Sequence, residues 1–290
     1  MANLNYLNYL NIFSYLLNVL VTYGFGTWFL TNVPSTTDLA AKYQTIITPI
    51  GWAFSIWGII FLSQGIFTVV QAVVPSYRSS ALVQKGIGYS YCVVCVAQAM
   101  WSVLFGYEQI VASLLAMITI LCYLLRIVYE QYKIRVDNEE DSSKKPLDFW
   151  LLIFPFSIHA GWITVASLLN ISVVLVRFHV PSNIQLAVAI ATIVILYIAT
   201  AVHLRSPDEP NYVIPTVFSW ALFGIYSGLK HPNGLIRNTF SDGQIFFVQH
   251  SAAVSSAVIL ACVAMRAILV YVWNSEARRR RPEAQTLLDA

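Results

Sequence analysis

The polar side chains that stand out in this chain lie inside its apolar stretches: Gln64, Gln71, Gln98, His159, Asn170, His203, Gln249, His250 and Arg266. A polar group held in a membrane is costly and often marks function. Most of these are amides or imidazoles, so the chemistry they offer is hydrogen bonding, to a ligand or between helices. No Asp, Glu or Lys lies deep in any apolar stretch. A proton relay or cation-coupled carrier built on membrane carboxylates therefore lacks its central group, and a retinal Schiff base lacks its lysine. The histidines are scattered with no i, i+4 pair, so no metal site is expected. There is no phosphate loop and no nucleophile, base and orienter set. No catalytic residue is assigned, and binding is favoured over enzymatic turnover.

Spacing adds one local cluster. Pro155, His159 and Trp162 share a helical face, so a kink, an imidazole and an indole converge into a candidate pocket wall. The alternative for His159 is a hydrogen bond to a backbone carbonyl. Gln98 and Asn170 divide in the same way between interhelical bonding and ligand contact. His203 and Arg266 lie near the basic side, where they can snorkel. Cys92, Cys95, Cys122 and Cys262 are expected to be small buried hydrophobes. The C-x-x-C spacing of Cys92 and Cys95 sits in apolar surroundings that disfavour a thiolate.

The elements that must position these residues follow from composition. The chain of 290 residues is 58% hydrophobic and only 11% charged, where a soluble domain carries about 25% charged residues; its mean hydropathy is +0.66. Spans of about 20 apolar residues cross a bilayer as helices. They are read near 12–32, 50–74, 86–106, 109–130, 149–175, 185–204, 211–229 and 246–273, giving eight spans and an all-α polytopic membrane helix bundle. The longest polar break is 133–148. With both termini on one side, thirteen of the 17 Lys and Arg fall on that side and four on the other. The positive-inside rule then places both termini in the cytoplasm of a multi-pass protein. Net charge is +3, and Arg278 to Arg281 form one run, which describes a basic tail and not a nucleic-acid surface. Residues 1–11, without Lys or Arg, read as an interfacial lead-in and lack the basic region of a signal peptide.

The 24 Tyr and Trp residues suit membrane interfaces, and they also suit planar apolar ligands. They are densest in Thr48-Pro49-Ile50-Gly51-Trp52-Ala53-Phe54-Ser55-Ile56-Trp57-Gly58. On an α-helix Trp52 and Trp57 point about 140° apart, toward two neighbours or toward a neighbour and a cavity. Pro49 initiates the helix. Pro155 frees a carbonyl within its span, which needs a neighbour or water.

Three segments together resemble the TspO/MBR family of tryptophan-rich sensory or translocator proteins. Pro49 through Trp57, followed by Ile60 and Phe61, is similar to the family's aromatic start of helix two. Gln98-Ala99-Met100-Trp101-Ser102, with Phe105, is similar to its helix three. Pro155-Phe156 through Trp162, Ala166, Leu169 and Asn170 is similar to its helix five. The family's Pro-Pro pair is here Thr48-Pro49, and the tyrosine after the helix-five proline is Phe156. The resemblance implies a TspO-like five-helix core over 12–176, three additional C-terminal transmembrane helices over 177–274, and a tail over 275–290. It also implies a pocket for a flat hydrophobic ligand (a tetrapyrrole, sterol or lipid), lined by Trp52, Phe54, Trp57, Gln98, Trp101, Trp162 and Asn170, with His159 a further candidate. No cofactor is obligatory, and a porphyrin or haem is a candidate ligand. The expected role is sensor or translocator. The alternatives are a porphyrin-modifying enzyme and a structural subunit or scaffold. The expected partners are membrane lipids, the small ligand, and a second copy or a membrane complex; nucleic acid is not among them.

Overall fold

The structure, a computed structural model, describes residues 3–26, 34, 36–137, 146–207 and 209–288, without the side chains of 25–26, 36–37, 274 and 276–288. The polar stretch 138–145 and residues 27–33, which take in the end of the expected first span, lie outside the described residues. All regular structure among the described residues is helical. The long helices are α1 (Tyr6–Gly26), α3 (Ile56–Val73), α5 (Ser90–Gly106), α6 (Ile110–Asp137), α8 (Phe154–Arg177), α9 (Ser182–Leu204), α10 (Val213–Gly228) and α12 (Asp242–Leu288). Short helices α2 (Thr36–Lys42), α4 (Pro75–Arg78), α7 (Pro146–Asp148) and α11 (Gly234–Thr239) lie in the connections.

Five stretches, Gly51–Val73, Ile110–Asp137, Pro146–Arg177, Ser182–Leu204 and Asp242–Trp273, are long and apolar enough to cross a membrane. Ser90–Gly106 and Val213–Gly228 are shorter apolar helices of the same bundle. The chain is an all-α polytopic membrane bundle. Its outward faces carry large apolar side chains such as Leu62, Leu115, Ile198 and Met265, as a lipid-facing surface requires. Cys122 and Cys262 share that outward position. The expectation that all four cysteines are buried therefore holds only for Cys95 and, in part, Cys92.

Helices α1, α3, α8, α6 and α5 form a closed ring in which each packs on the next and α5 returns to α1. Helix α10 packs on the outside of α8, with α9 and α12 against it. At one end of the ring Phe67, Tyr91 and Phe156 fill the centre edge to face, with centroids 5.2 to 5.6 Å apart. That geometry satisfies their ring quadrupoles while excluding water.

Helix α1 begins at Tyr6, so the expected lead-in is a correction: residues 6–11 are part of the helix. Asn5 and Asn8 each accept the other's backbone N–H, at 3.1 and 3.0 Å, which is the reciprocal arrangement of a capping box. Asn8 and Asn11 are buried, and both donate to Gln71 Oε1 of α3 at 3.1 Å. Gln71 Nε2 returns a bond to the Asn8 carbonyl at 3.0 Å. These bonds fix α1 against α3 where apolar packing alone gives no register.

Three irregular turns depart from an α-helical reading, one of them the π-helical turn Leu82–Ile87 before α5. Gly51–Ser55 is a 3₁₀ turn, and Phe149–Ile153 is a π-helical turn leading into α8 and Pro155. The carbonyl of Leu152, three residues before that proline, accepts from Gln131 Nε2 of α6 at 2.7 Å. That bond ties α6 to the irregular turn.

The 3₁₀ turn is clasped by α10. Ile50 N–H donates to the Gly224 carbonyl at 3.1 Å, and Trp220 Nε1 donates to the Ala53 carbonyl at 2.9 Å. Gly224 allows this approach: a Cβ there would lie 2.9 Å from Ala53 Cβ and 3.0 Å from Pro49 Cβ. A second close approach sits at Gly161, whose added Cβ would lie 2.9 Å from Val217 Cβ. Gly224→Val should therefore destabilise the bundle by about 1–3 kcal/mol through overpacking. The check is denaturant unfolding in micelles; a midpoint equal to that of the parent would refute the tight clasp.

Candidate functional site

A cavity of about 220 Å³ opens inside the five-helix ring. A single water needs only about 10–15 Å³, so this is room for a ligand. The 3₁₀ turn sends Phe54 into its wall, and the first turns of α3 add Trp57 and Phe61. Helix α5 contributes Gln98, Trp101, Ser102 and Phe105, and α8 contributes Trp162, Ala166, Leu169 and Asn170. The aromatic walls are mutually braced. Phe54 meets Trp162 edge on at 5.4 Å and Trp57 meets Trp162 at 6.4 Å. Trp101 stacks on Phe105 at 5.1 Å.

Three polar atoms of lining residues are buried without a hydrogen-bond partner among the described residues: Gln98 Oε1, Trp101 Nε1 and Asn170 Oδ1. Leaving such a group unpaired costs about 1–3 kcal/mol. Together they present one donor and two acceptors beside flat aromatic walls.

Six of the eight residues singled out from sequence, Phe54, Trp57, Gln98, Trp101, Trp162 and Asn170, line this one cavity. Trp52 and His159 do not. The 3₁₀ turn directs Trp52 outward to α10, where it meets Trp220 at 4.7 Å and Phe223 at 5.8 Å. His159 is buried behind the wall. Its Nδ1 accepts from Gln64 Nε2 at 2.8 Å, and its ring stands edge on to Trp57 at 5.7 Å. Tyr91 OH donates to Gln64 Oε1 at 3.4 Å. The bonding partner of His159 is therefore an interhelical amide and not the backbone carbonyl considered from sequence. Its Nε2 has no partner among the described residues.

Sequence reasoning missed the contribution of α1. Thr22 and Tyr23 line the cavity, and Thr22 Oγ1 lies 3.3 Å from Ser102 Oγ while donating to Asn18 Oδ1 at 3.1 Å. Asn8, Asn11, Asn18 and Thr22 fall at helical spacing along α1, a polar stripe that could have marked this face.

Helix α2 caps the cavity's outer end. Ala40 and Tyr43 reach the lining, while Leu39 and Tyr43 pack with Phe105, Ile110 and Val173. The cap is fastened to the α5–α6 turn, where Lys42 Nζ lies 2.5 Å from Glu108 Oε2 and the Tyr43 hydroxyl donates to the same oxygen. Glu108 holds φ 56° just past α5, the left-handed position that glycine usually fills after a helix. Its carboxylate is thereby aimed at the cap. The hydrogen bond from Lys42, then that from Tyr43, hold the Glu108 carboxyl below its ordinary range. Burial, then the bond to Glu108, raise the Tyr43 phenol.

An all-helical polytopic bundle with lipid-facing outer surfaces and an aromatic internal cavity defines an integral membrane protein. The TSPO-like protein family matches residues 8–272, and the chain belongs to that family. The match extends beyond the five-helix ring through α9, α10 and most of α12. Comparison with curated proteins and with solved structures found no match.

Because the Glu108 pKa is depressed in the fold, the stabilisation it contributes is fully present above about pH 4.5 and is lost as pH falls through its lower folded value. Amide exchange over 36–43, corrected for intrinsic rates, should therefore accelerate below pH 4.5. Glu108→Gln should exchange fast at every pH. The same pH dependence in the variant would remove Glu108 from this role.

Proposed function

We propose that this membrane protein binds a flat hydrophobic ligand, of the tetrapyrrole, sterol or lipid class, in the aromatic cavity and acts as a sensor or translocator. The observation that carries this reading is the combination of Phe54, Trp57, Trp101 and Trp162 with three unpartnered polar atoms around one cavity. Indole faces bury large area at small rotamer cost. A few placed polar groups then orient a ligand that the apolar walls hold. Gln98 and Asn170 would accept hydrogen bonds from the ligand's polar edge, and Trp101 would donate one. Porphyrin or haem has the flat apolar body and polar edge that such a wall fits.

Coupled pumping finds no support, because the lining residues include no carboxylate or lysine. Sensing and translocation both need reversible occupancy, for which the α2 cap supplies a removable cover. The excess of basic residues on one face supports cytoplasmic termini.

The test is tryptophan quenching of the purified protein, titrated with protoporphyrin or haemin. Saturable quenching is expected, weakened roughly tenfold, or about 1.4 kcal/mol, in Trp101→Phe and Trp162→Phe. Trp52→Phe should bind like the parent, since that ring stands outside the cavity. Linear quenching that is equal in all three variants would describe partitioning into the micelle and would sink the tetrapyrrole assignment.

A further inference from the structure

A second cavity, of about 370 Å³, lies at the opposite end of the bundle. Its walls use the later turns of α6 and the start of α8, whereas the aromatic cavity uses Met117 of α6 and the later turns of α8. It is bounded also by α9, by residues 205–206 and 209–212 of the connection that follows, and by Val270 of α12. This is the end that carries the excess of basic residues.

We propose that this cavity binds an anionic lipid with a small phosphate headgroup. The inference is independent of the ligand assigned to the aromatic cavity. Three observations carry it. First, one of the two lining arginines is uncommitted. Arg135 Nη2 is 2.7 Å from Glu209 Oε2. Arg205 lines the cavity and makes no hydrogen bond or ion pair among the described residues. A guanidinium so placed presents a planar fork for phosphate oxygens.

Second, the cavity floor holds an unpartnered polar atom. Gln131 is 1% exposed, and its Oε1 finds no partner, while its Nε2 is committed to the Leu152 carbonyl. An acceptor there suits the proton of a phosphate monoester or a glycerol hydroxyl. Third, the mouth is apolar and turned outward. Tyr129, Val202 and Leu125 are 61%, 47% and 39% exposed on the bundle's lateral surface. Acyl chains leaving the headgroup would run along them. A basic pocket between transmembrane helices, open to lipid at the basic face, is the geometry that recognises anionic headgroups.

The wall is also preformed. Arg266 donates to the carbonyls of Leu204, Ser206 and Pro207 at 3.1, 2.6 and 3.3 Å, so its charge organises the connection. Asn211 Nδ2 donates to Ser157 Oγ at 2.9 Å and joins the same connection to α8. A ligand would meet a built site and would not have to order one.

The experiment uses the full chain, delipidated in neutral detergent and titrated with dioleoyl phosphatidic acid or dioleoyl phosphatidylcholine, with bound lipid read by native mass spectrometry. One phosphatidic acid per chain should be retained in preference to phosphatidylcholine. Arg205→Gln, at an exposed position, should weaken retention roughly tenfold. Val202→Trp, which obstructs the mouth from the lipid side, should do the same without touching a charge. Trp52→Phe, outside both cavities, should leave retention unchanged. Millimolar inorganic phosphate should not compete; competition would identify a site for free phosphate and overturn the lipid assignment. Equal retention of both lipids, or parental retention in both Arg205→Gln and Val202→Trp, would overturn it as well.

Discussion

The aromatic cavity depends on the clasp between α10 and the turn Gly51–Ser55. Inside a bilayer every backbone polar group must find a partner within the protein, and a 3₁₀ turn does not satisfy its neighbours as a regular α-helix would. Here the Gly224 carbonyl takes Ile50 N–H and the Trp220 indole serves the Ala53 carbonyl. Those two bonds settle the rotation of the turn. Rotation in turn decides that Phe54 and Trp57 face the cavity while Trp52 packs on α10. A helix outside the five-helix ring thus sets the geometry of the ring's interior, and the family match runs through that helix.

The buried polar residues divide by what they bond. Gln64 with His159, Gln71 with Asn8 and Asn11, and Ser219 with Ser256 at 2.8 Å join helices to one another. Arg266 joins a helix to a loop. In lipid such bonds supply register where apolar side chains slide freely. Gln98, Trp101 and Asn170 differ because they retain unpartnered atoms beside a cavity. The distinction between structural and ligand-facing polar groups therefore rests on what surrounds a residue, since Gln64 and Gln98 carry the same amide on two helices of one ring.

The two cavities differ in the same physical terms. One is enclosed by indole and phenyl rings with a few hydrogen-bonding atoms, under a cap held by a surface ion pair. The other has arginines within and aliphatic and tyrosyl side chains at its rim. The first matches a ligand that is mostly apolar, and the second an amphiphile with a charged end. Their positions at opposite ends of the bundle follow from the antiparallel run of α6 and α8, whose early and late turns serve different cavities.

Hydropathy determined the all-helical membrane class, because burial in lipid demands long apolar runs whatever the packing. The resemblance of three segments to the TspO/MBR family singled out Phe54, Trp57, Gln98, Trp101, Trp162 and Asn170, and the fold gathers these six around one cavity. The start of α1 was misjudged because Asn8 and Asn11 look interfacial until Gln71 is placed beside them. Trp52 and His159 were indistinguishable from their neighbours because sequence periodicity assumes an α-helical turn and shows no partner helix. Only the tertiary structure brought α10 onto the 3₁₀ turn, α2 onto the cavity mouth and Arg135, Gln131 and Arg205 around a second cavity. Each of these depends on groups distant in sequence meeting at hydrogen-bond distance, and hydrophobic patterning carries no record of such meetings.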